Sequence, residues 1–160
     1  MSEAHRFLVT CNVHEGGIPL RRARVLQDEL RRVYRKNFGN RVKVRFIWME
    51  IPKGQGFVAG EPSRLSAVLS PVPDGISQAD RERFMTAVCD RWRSETGCAV
   101  DEIMVSAPDA SFTKRYLEAS RQRFHPDKAR ALGLKLFLGM LFGWPRKRYL
   151  TTTLNMPSVR

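Results

Sequence analysis

Apolar and polar positions follow two rhythms along this chain, and the pair of rhythms occurs twice. Phe7-Leu8-Val9-Thr10-Cys11-Asn12-Val13 is a short, β-branched apolar run closed by Glu15-Gly16-Gly17, which predicts a strand. Pro19 suits the first turn of a helix, and from Leu20 to Asn37 the residues Ala23, Leu26, Leu30 and Val33 recur at helical spacing, backed by arginines. Phe38-Gly39-Asn40 ends that helix with a glycine stop. Val42, Val44, Phe46 and Trp48 then alternate with Lys43 and Arg45, predicting a second strand with one polar face. The plan repeats with Leu65 to Val72 as a third strand and Pro73-Asp74-Gly75 as a turn. Ser77-Gln78-Ala79-Asp80 reads as a capping box opening a helix, whose Phe84, Val88 and Trp92 share one face and which Gly97 stops. Ile103 to Ala107 is the fourth strand.

A helix joining two strands of one sheet implies a right-handed crossover and parallel pairing. The expected architecture is therefore α/β: two fused β-α-β units, residues 5–48 and 65–107, in a four-stranded sheet with both helices on one face. The other face is expected to be apolar and bare, which predicts oligomerisation through it. Between the units, residues 49–64 form a connecting loop. There, Pro52 and the glycines of Glu50-Ile51-Pro52-Lys53-Gly54-Gln55-Gly56-Phe57-Val58-Ala59-Gly60 interrupt regular structure and hold Phe57 in the middle. Residues 108–160 read as an extension packing on neighbouring subunits, within a single domain spanning 1–160. In that extension Phe112, Tyr116 and Ser120 or Phe124 line a helix that Pro126 interrupts. Ala131 to Trp144 is almost wholly apolar apart from Lys135, and at about fourteen residues it is too short to span a bilayer. A membrane-surface segment followed by Arg146-Lys147-Arg148 is the alternative to a packed tail.

Composition adds one constraint. The 160 residues suffice for one domain with its own core, and the formal charge of +12 favours anionic partners. No zinc-finger, aromatic RNA-binding or helix-turn-helix signature accompanies the charge, so neither nucleic acid nor membrane is the expected partner. Cys11, Cys89 and Cys98 show no metal spacing and no even count, and no leader-like apolar run follows Met1 to His5. The expected setting is cytoplasmic, with no metal and no cofactor.

The central stretch, a Glu-x-Pro-x-Gly-x-x-Phe-x-[Ala/Gly]-Gly pattern between two β-α-β copies, resembles the tautomerase superfamily. Within it, the fused-repeat branch typified by cis-3-chloroacrylic acid dehalogenase is the most similar, over about residues 5 to 125. The resemblance implies a trimer and a site built at an amino-terminal proline that acts as general base or cationic acid. Sliding the first strand onto that pattern puts His5 where the proline would stand, behind Met1-Ser2-Glu3-Ala4, so the proline mechanism is not expected. The branch's two carboxylate-holding arginines fall on Pro73 and Ile76 here, which argues against haloacrylate dehalogenation. Tyr34 falls on a substrate-contacting histidine, Ser106 on a tyrosine and Glu118 within one residue of a water-activating glutamate. Arg6, Arg32, Lys43 and Arg45 supply cations from other directions.

The candidate catalytic residues are His5 and Glu118, and the candidate substrate contacts are Arg6, Tyr34, Phe57 and Ser106. A histidine has an unperturbed pKa of about 6.5, which suits a base near neutral pH. His14 and His125 sit at turns and read as surface residues. The leading reading is a divergent homotrimer that binds a small 2-oxo or unsaturated carboxylic acid, with little or no proline-type tautomerase or dehalogenase activity. The alternatives are an isomerase or hydratase using His5 as base, and a basic-surface protein that binds nucleic acid or anionic membrane.

Overall fold

A computed structural model describes residues 6–122, 126–147 and 151–153. Strands β1 (Arg6–His14) and β2 (Lys43–Ile51) flank helix α1 (Leu20–Phe38), and β3 (Phe57–Val58) and β4 (Glu61–Pro62) come next. Strands β5 (Ser66–Leu69) and β6 (Ile103–Ser106) flank α2 (Gln78–Thr96), and α3 (Ala110–Gln122), α4 (Pro126–Lys147) and β7 (Thr151–Thr153) come last. The main sheet has the order β6-β5-β1-β2-β7. Pairing within each β-α-β unit is parallel, as the crossover rule requires, and β1 meets β5 antiparallel across the centre.

The four expected strands form the body of this sheet, and a short fifth joins them at one edge. Thr151–Thr153 pairs in parallel with Trp48–Glu50 of β2, so the end of the extension adds to the chain's own sheet. The connecting stretch is also more structured than a loop. β2 runs on to Ile51, and β3 and β4 form a hairpin around Ala59 (φ 52°) and Gly60 (φ 88°). Two successive positive φ values suit the right-handed twist of a two-residue hairpin, and an alanine there costs about 1 kcal/mol relative to glycine.

The alternating side chains of the strands divide cleanly. Phe7, Val9, Cys11 and Val13 of β1, Phe46 and Trp48 of β2, and Val68 of β5 are buried in one core with Ala23, Leu26, Leu30 and Val33 of α1 and Phe84, Val88 and Trp92 of α2. Both helices therefore cover the same face. Trp48 and Trp92 stack with centroids 5.7 Å apart, and Tyr34 meets Phe84 edge-on at 4.9 Å, so each unit contributes one ring to both contacts. Fully burying such rings contributes roughly 1.5–3 kcal/mol each.

The opposite face carries Arg6, Leu8, Thr10 and Asn12 of β1, Lys43, Arg45 and Ile47 of β2, and Met104 and Ser106 of β6. It is open in the single chain, with Leu8 42% and Met104 53% exposed. It is not the wholly apolar face expected from the strand pattern, because cations occupy the amino ends of β1 and β2. In the extension Pro126 begins α4 after the α3 segment, and Leu134, Phe137, Leu138, Leu141 and Phe142 of α4 are exposed. Among the described residues no helix is long and apolar enough to cross a membrane.

Candidate functional site

The two ends of β1 carry different chemistry. At its amino end, Arg6 is paired across the ladder with Lys43, and Leu8 with Arg45. Residues directly opposite in a parallel ladder share a face, so Arg6, Lys43 and Arg45 form one exposed cationic patch on the open side of the sheet. No acidic side chain stands on that face at this end of β1 or β2. Ser106 shares the face farther along: it pairs with Leu69, which pairs with Thr10.

The neighbouring end of the second unit is tied together by polar contacts. Val72 bridges Asp109, which continues the β5–β6 pairing to the start of α3. Arg81 donates to the Ala107 carbonyl and forms a 2.6 Å ion pair with Asp109. The Asp74 carboxylate accepts a 3.0 Å hydrogen bond from the Ser111 amide, capping α3 from outside its own chain segment. That amide holds the Asp74 carboxyl below the usual carboxylate range.

Tyr34 is corrected from substrate contact to core residue. It is 0% exposed, stacks on Phe7 at 5.6 Å, and its hydroxyl donates a 2.8 Å hydrogen bond to the Pro71 carbonyl. Burial pushes that hydroxyl far above the ordinary phenol range, which keeps it a neutral donor. His5 lies outside the described residues, and so does His125. Glu118 is exposed on α3, whose start is anchored beside Val72. Phe57 is 59% exposed in the β3–β4 hairpin, beyond the carboxyl end of β2. Eight residue steps along β1 separate that end from Arg6, a distance of roughly 26 Å at about 3.3 Å per residue. One chain therefore does not bring Phe57 and Arg6 together.

The sequence pattern alone does not single out the residues at the carboxyl end of β1 as functional. His14 is half-buried rather than a surface turn residue, and with Glu15, Lys53 and Arg64 it lines a cleft of about 480 Å³. The signals in the sequence are the Gly16-Gly17 turn directly after a strand and the glycines of the connecting stretch, which become meaningful only once the chain folds back on them. Among the described residues no group of three or more His, Cys, Asp or Glu is placed to hold a metal ion.

No protein-family model and no curated protein matches the chain. Solved structures do. The chain is similar to native Ps01740, with a TM-score of 0.62, 22% identity, and coverage of 66% of this chain and 97% of that one. It is similar to N1, a member of the cis-3-chloroacrylic acid dehalogenase family, with a TM-score of 0.61 and 14% identity over 64% of this chain and 74% of that one. It also matches a wild-type fused 4-OT solved as a symmetric trimer, with a TM-score of 0.58 and 19% identity over 64% of this chain and 85% of that one. The architecture is the tautomerase-like duplication of β-α-β units, as the central motif implied. At these identities the likeness establishes the fold.

Proposed function

We propose that this chain is a small-anion-binding protein on a tautomerase-like scaffold, taking a 2-oxo or unsaturated carboxylic acid at the amino ends of β1 and β2. The observation that carries this reading is the register Arg6 to Lys43 and Leu8 to Arg45, which collects three cations on one open surface. A carboxylate there receives charge-assisted hydrogen bonds, and each arginine offers a planar fork that matches it bidentately. Proline-type tautomerase or dehalogenase chemistry is not part of the proposal.

Self-association as a homotrimer belongs to the same reading. Leu8 and Met104 leave apolar area on the open face, and the similar fused 4-OT is described as a trimer. Phe57, with its hairpin at the far end of the chain, reaches an anion at Arg6 only from a neighbouring copy. Ser106 lies on the same open face and is the remaining proposed contact.

Isothermal titration with pyruvate tests the site. Saturable binding that weakens about tenfold in Arg6→Ala and in Lys43→Ala is expected, since each removes a charge-assisted contact. Binding unchanged in both variants sinks the proposal, and a monomer in sedimentation removes the trimer. A second reading, isomerisation or hydration with His5 as base and Glu118 as its partner, is favoured by one observation: α3 starts beside Val72, at the same end of the sheet as Arg6. Ketonisation of phenylenolpyruvate above the buffer rate, lost in His5→Ala, would select it.

A further inference from the structure

The cleft of about 480 Å³ at the carboxyl end of β1 is assembled from three separate segments. They are His14 with the Glu15-Gly16-Gly17 turn, Lys53-Gly54 with Gly56, and Pro62-Ser63-Arg64 leading into β5. Backbone hydrogen bonds fasten the segments to one another. The Glu15 amide donates to the Ile51 carbonyl at 2.9 Å, and the Ser63 amide donates to the Gly56 carbonyl at 2.9 Å. The Gly17 amide turns back to the His14 carbonyl at 2.9 Å. The walls are therefore held by main chain.

Glycine is required at position 56 for a specific reason. A Cβ there would collide with Cε1 of the His14 ring and lie 3.0 Å from its Nε2, so the imidazole rests directly on the Gly56 backbone. The charged groups then converge. Lys53 and Arg64 are exposed, come from different loops, and among the described residues have no carboxylate within ion-pair distance. The one acid in the lining, Glu15, is engaged through Oε2 by the Lys53 amide at 3.4 Å. Pro62 and the glycine methylenes supply apolar wall to the same cleft.

Position and size agree with ligand binding. In α/β sheets the crevice outside the carboxyl ends of parallel strands is the usual ligand position, and β1 and β2 both end here. The volume falls within the range of about 300–1,000 Å³ typical of small-molecule sites. Arg64 leads into β5, which runs antiparallel to β1, so it stands at the same end of the sheet as His14.

We infer that this cleft is a second binding site, distinct from the Arg6 patch, for a small organic anion whose carboxylate or phosphate head lies between Lys53, Arg64 and His14. Its short carbon body packs on Pro62 and the His14 ring.

Heteronuclear NMR of the full chain, titrated separately with inorganic phosphate and with acetate, tests the inference. Saturable shifts are expected in the amides of residues 14–17, 53–56 and 63–64 with at least one of the two anions. Whichever anion binds more tightly identifies the head group. Lys53→Ala and Arg64→Ala, both at exposed positions that spare the fold, each weaken that binding by about tenfold. Gly56→Ala weakens it by displacing His14, while Arg93→Ala on the outer surface of α2 leaves it unchanged. Shifts that persist undiminished in the Lys53→Ala/Arg64→Ala double variant overturn the inference, as does the absence of saturation with both anions. Failure of the Arg6 patch is read separately, because its amides, 6–8 and 43–45, lie at the other end of β1.

Discussion

The two β-α-β units share a plan and differ in what lies beyond the carboxyl end of their first strands. Beyond β5 the space is closed: Arg81 holds the Ala107 carbonyl and Asp109, and Asp74 caps α3. Beyond β1 it is open: a glycine turn faces a hairpin across the cleft that His14, Lys53 and Arg64 line. The helices differ in the same direction. α2 has a capped start, with the Asp80 amide donating to Ser77 Oγ at 3.1 Å and Asp80 in its first turn, whereas α1 begins at Pro19 with no side-chain cap and no acid in its first turn. The contrast arises in the segments that leave the second strand of each unit. After β6 the chain enters α3, whose start is tied to Val72, Asp74 and Arg81, whereas after β2 it enters a hairpin that lines the cleft with His14. Duplication thus supplied one scaffold with two ends, and the connecting segments give those ends different surroundings: at the Arg6 end the start of α3 is tied down beside the open cationic patch, and at the other end the cleft stays unfilled.

This contrast can be broken or sharpened by experiment, beginning with the contact that joins the units. Trp92→Ala should destabilise the protein by about 3–5 kcal/mol in chemical denaturation, because a fully buried ring leaves a cavity. Combined with Trp48→Ala, the stacked pair should show a coupling of about 1 kcal/mol, and strict additivity would mean that the units are energetically independent. Next in size, Ser77→Ala should cost about 1 kcal/mol by removing the α2 cap. The counterpart change Arg21→Glu, placing an acid in the first turn of α1, should stabilise by about 0.5 kcal/mol. If both substitutions are neutral, the difference between the two helix starts has no energetic content.

The smallest effect appears only in acid. The Asp74 carboxyl is held below its ordinary value of about 3.9 by the Ser111 amide, so the stability it contributes is present above that value. It is lost as pH falls through the lower folded-state value. Thermal melts of Asp74→Asn should therefore differ from the wild type at about pH 6 and converge with it towards about pH 2. A difference that persists unchanged in acid would show that the carboxylate charge is irrelevant to closing this end.

Much of the architecture was legible because it rests on local rules. The period-two runs of β1 and β2, the helical stripe Ala23-Leu26-Leu30-Val33, the Ser77 cap and the Gly97 stop (φ 71°) all depend on sterics within a few residues. The central motif and the repeat point to the tautomerase-like fold from sequence alone. The candidate site residues were less legible. Arg6, Lys43 and Ser106 could be placed on strands, but the face they share depends on register. Tyr34 stood at a position that suggested substrate contact, and its burial against Phe7, Phe84 and the Pro71 carbonyl makes it a joint between the units. His14 looked like a turn residue because nothing near it in sequence announces that Gly56 will lie against its ring.

The amino-acid sequence by itself determined which segments become strands and helices, that the unit is duplicated, and that each crossover is parallel. Short-range backbone sterics and the handedness of the crossover leave little else possible. Only the tertiary structure decided that β1 and β5 meet antiparallel, that β7 extends the sheet, and that the stretch around Gly56 lies against His14 at the end of β1. Those outcomes depend on contacts between residues tens of positions apart, whose free energy comes from shared burial and mutual fit. No local pattern encodes them, and they place the cations of this chain at two separate ends of one sheet.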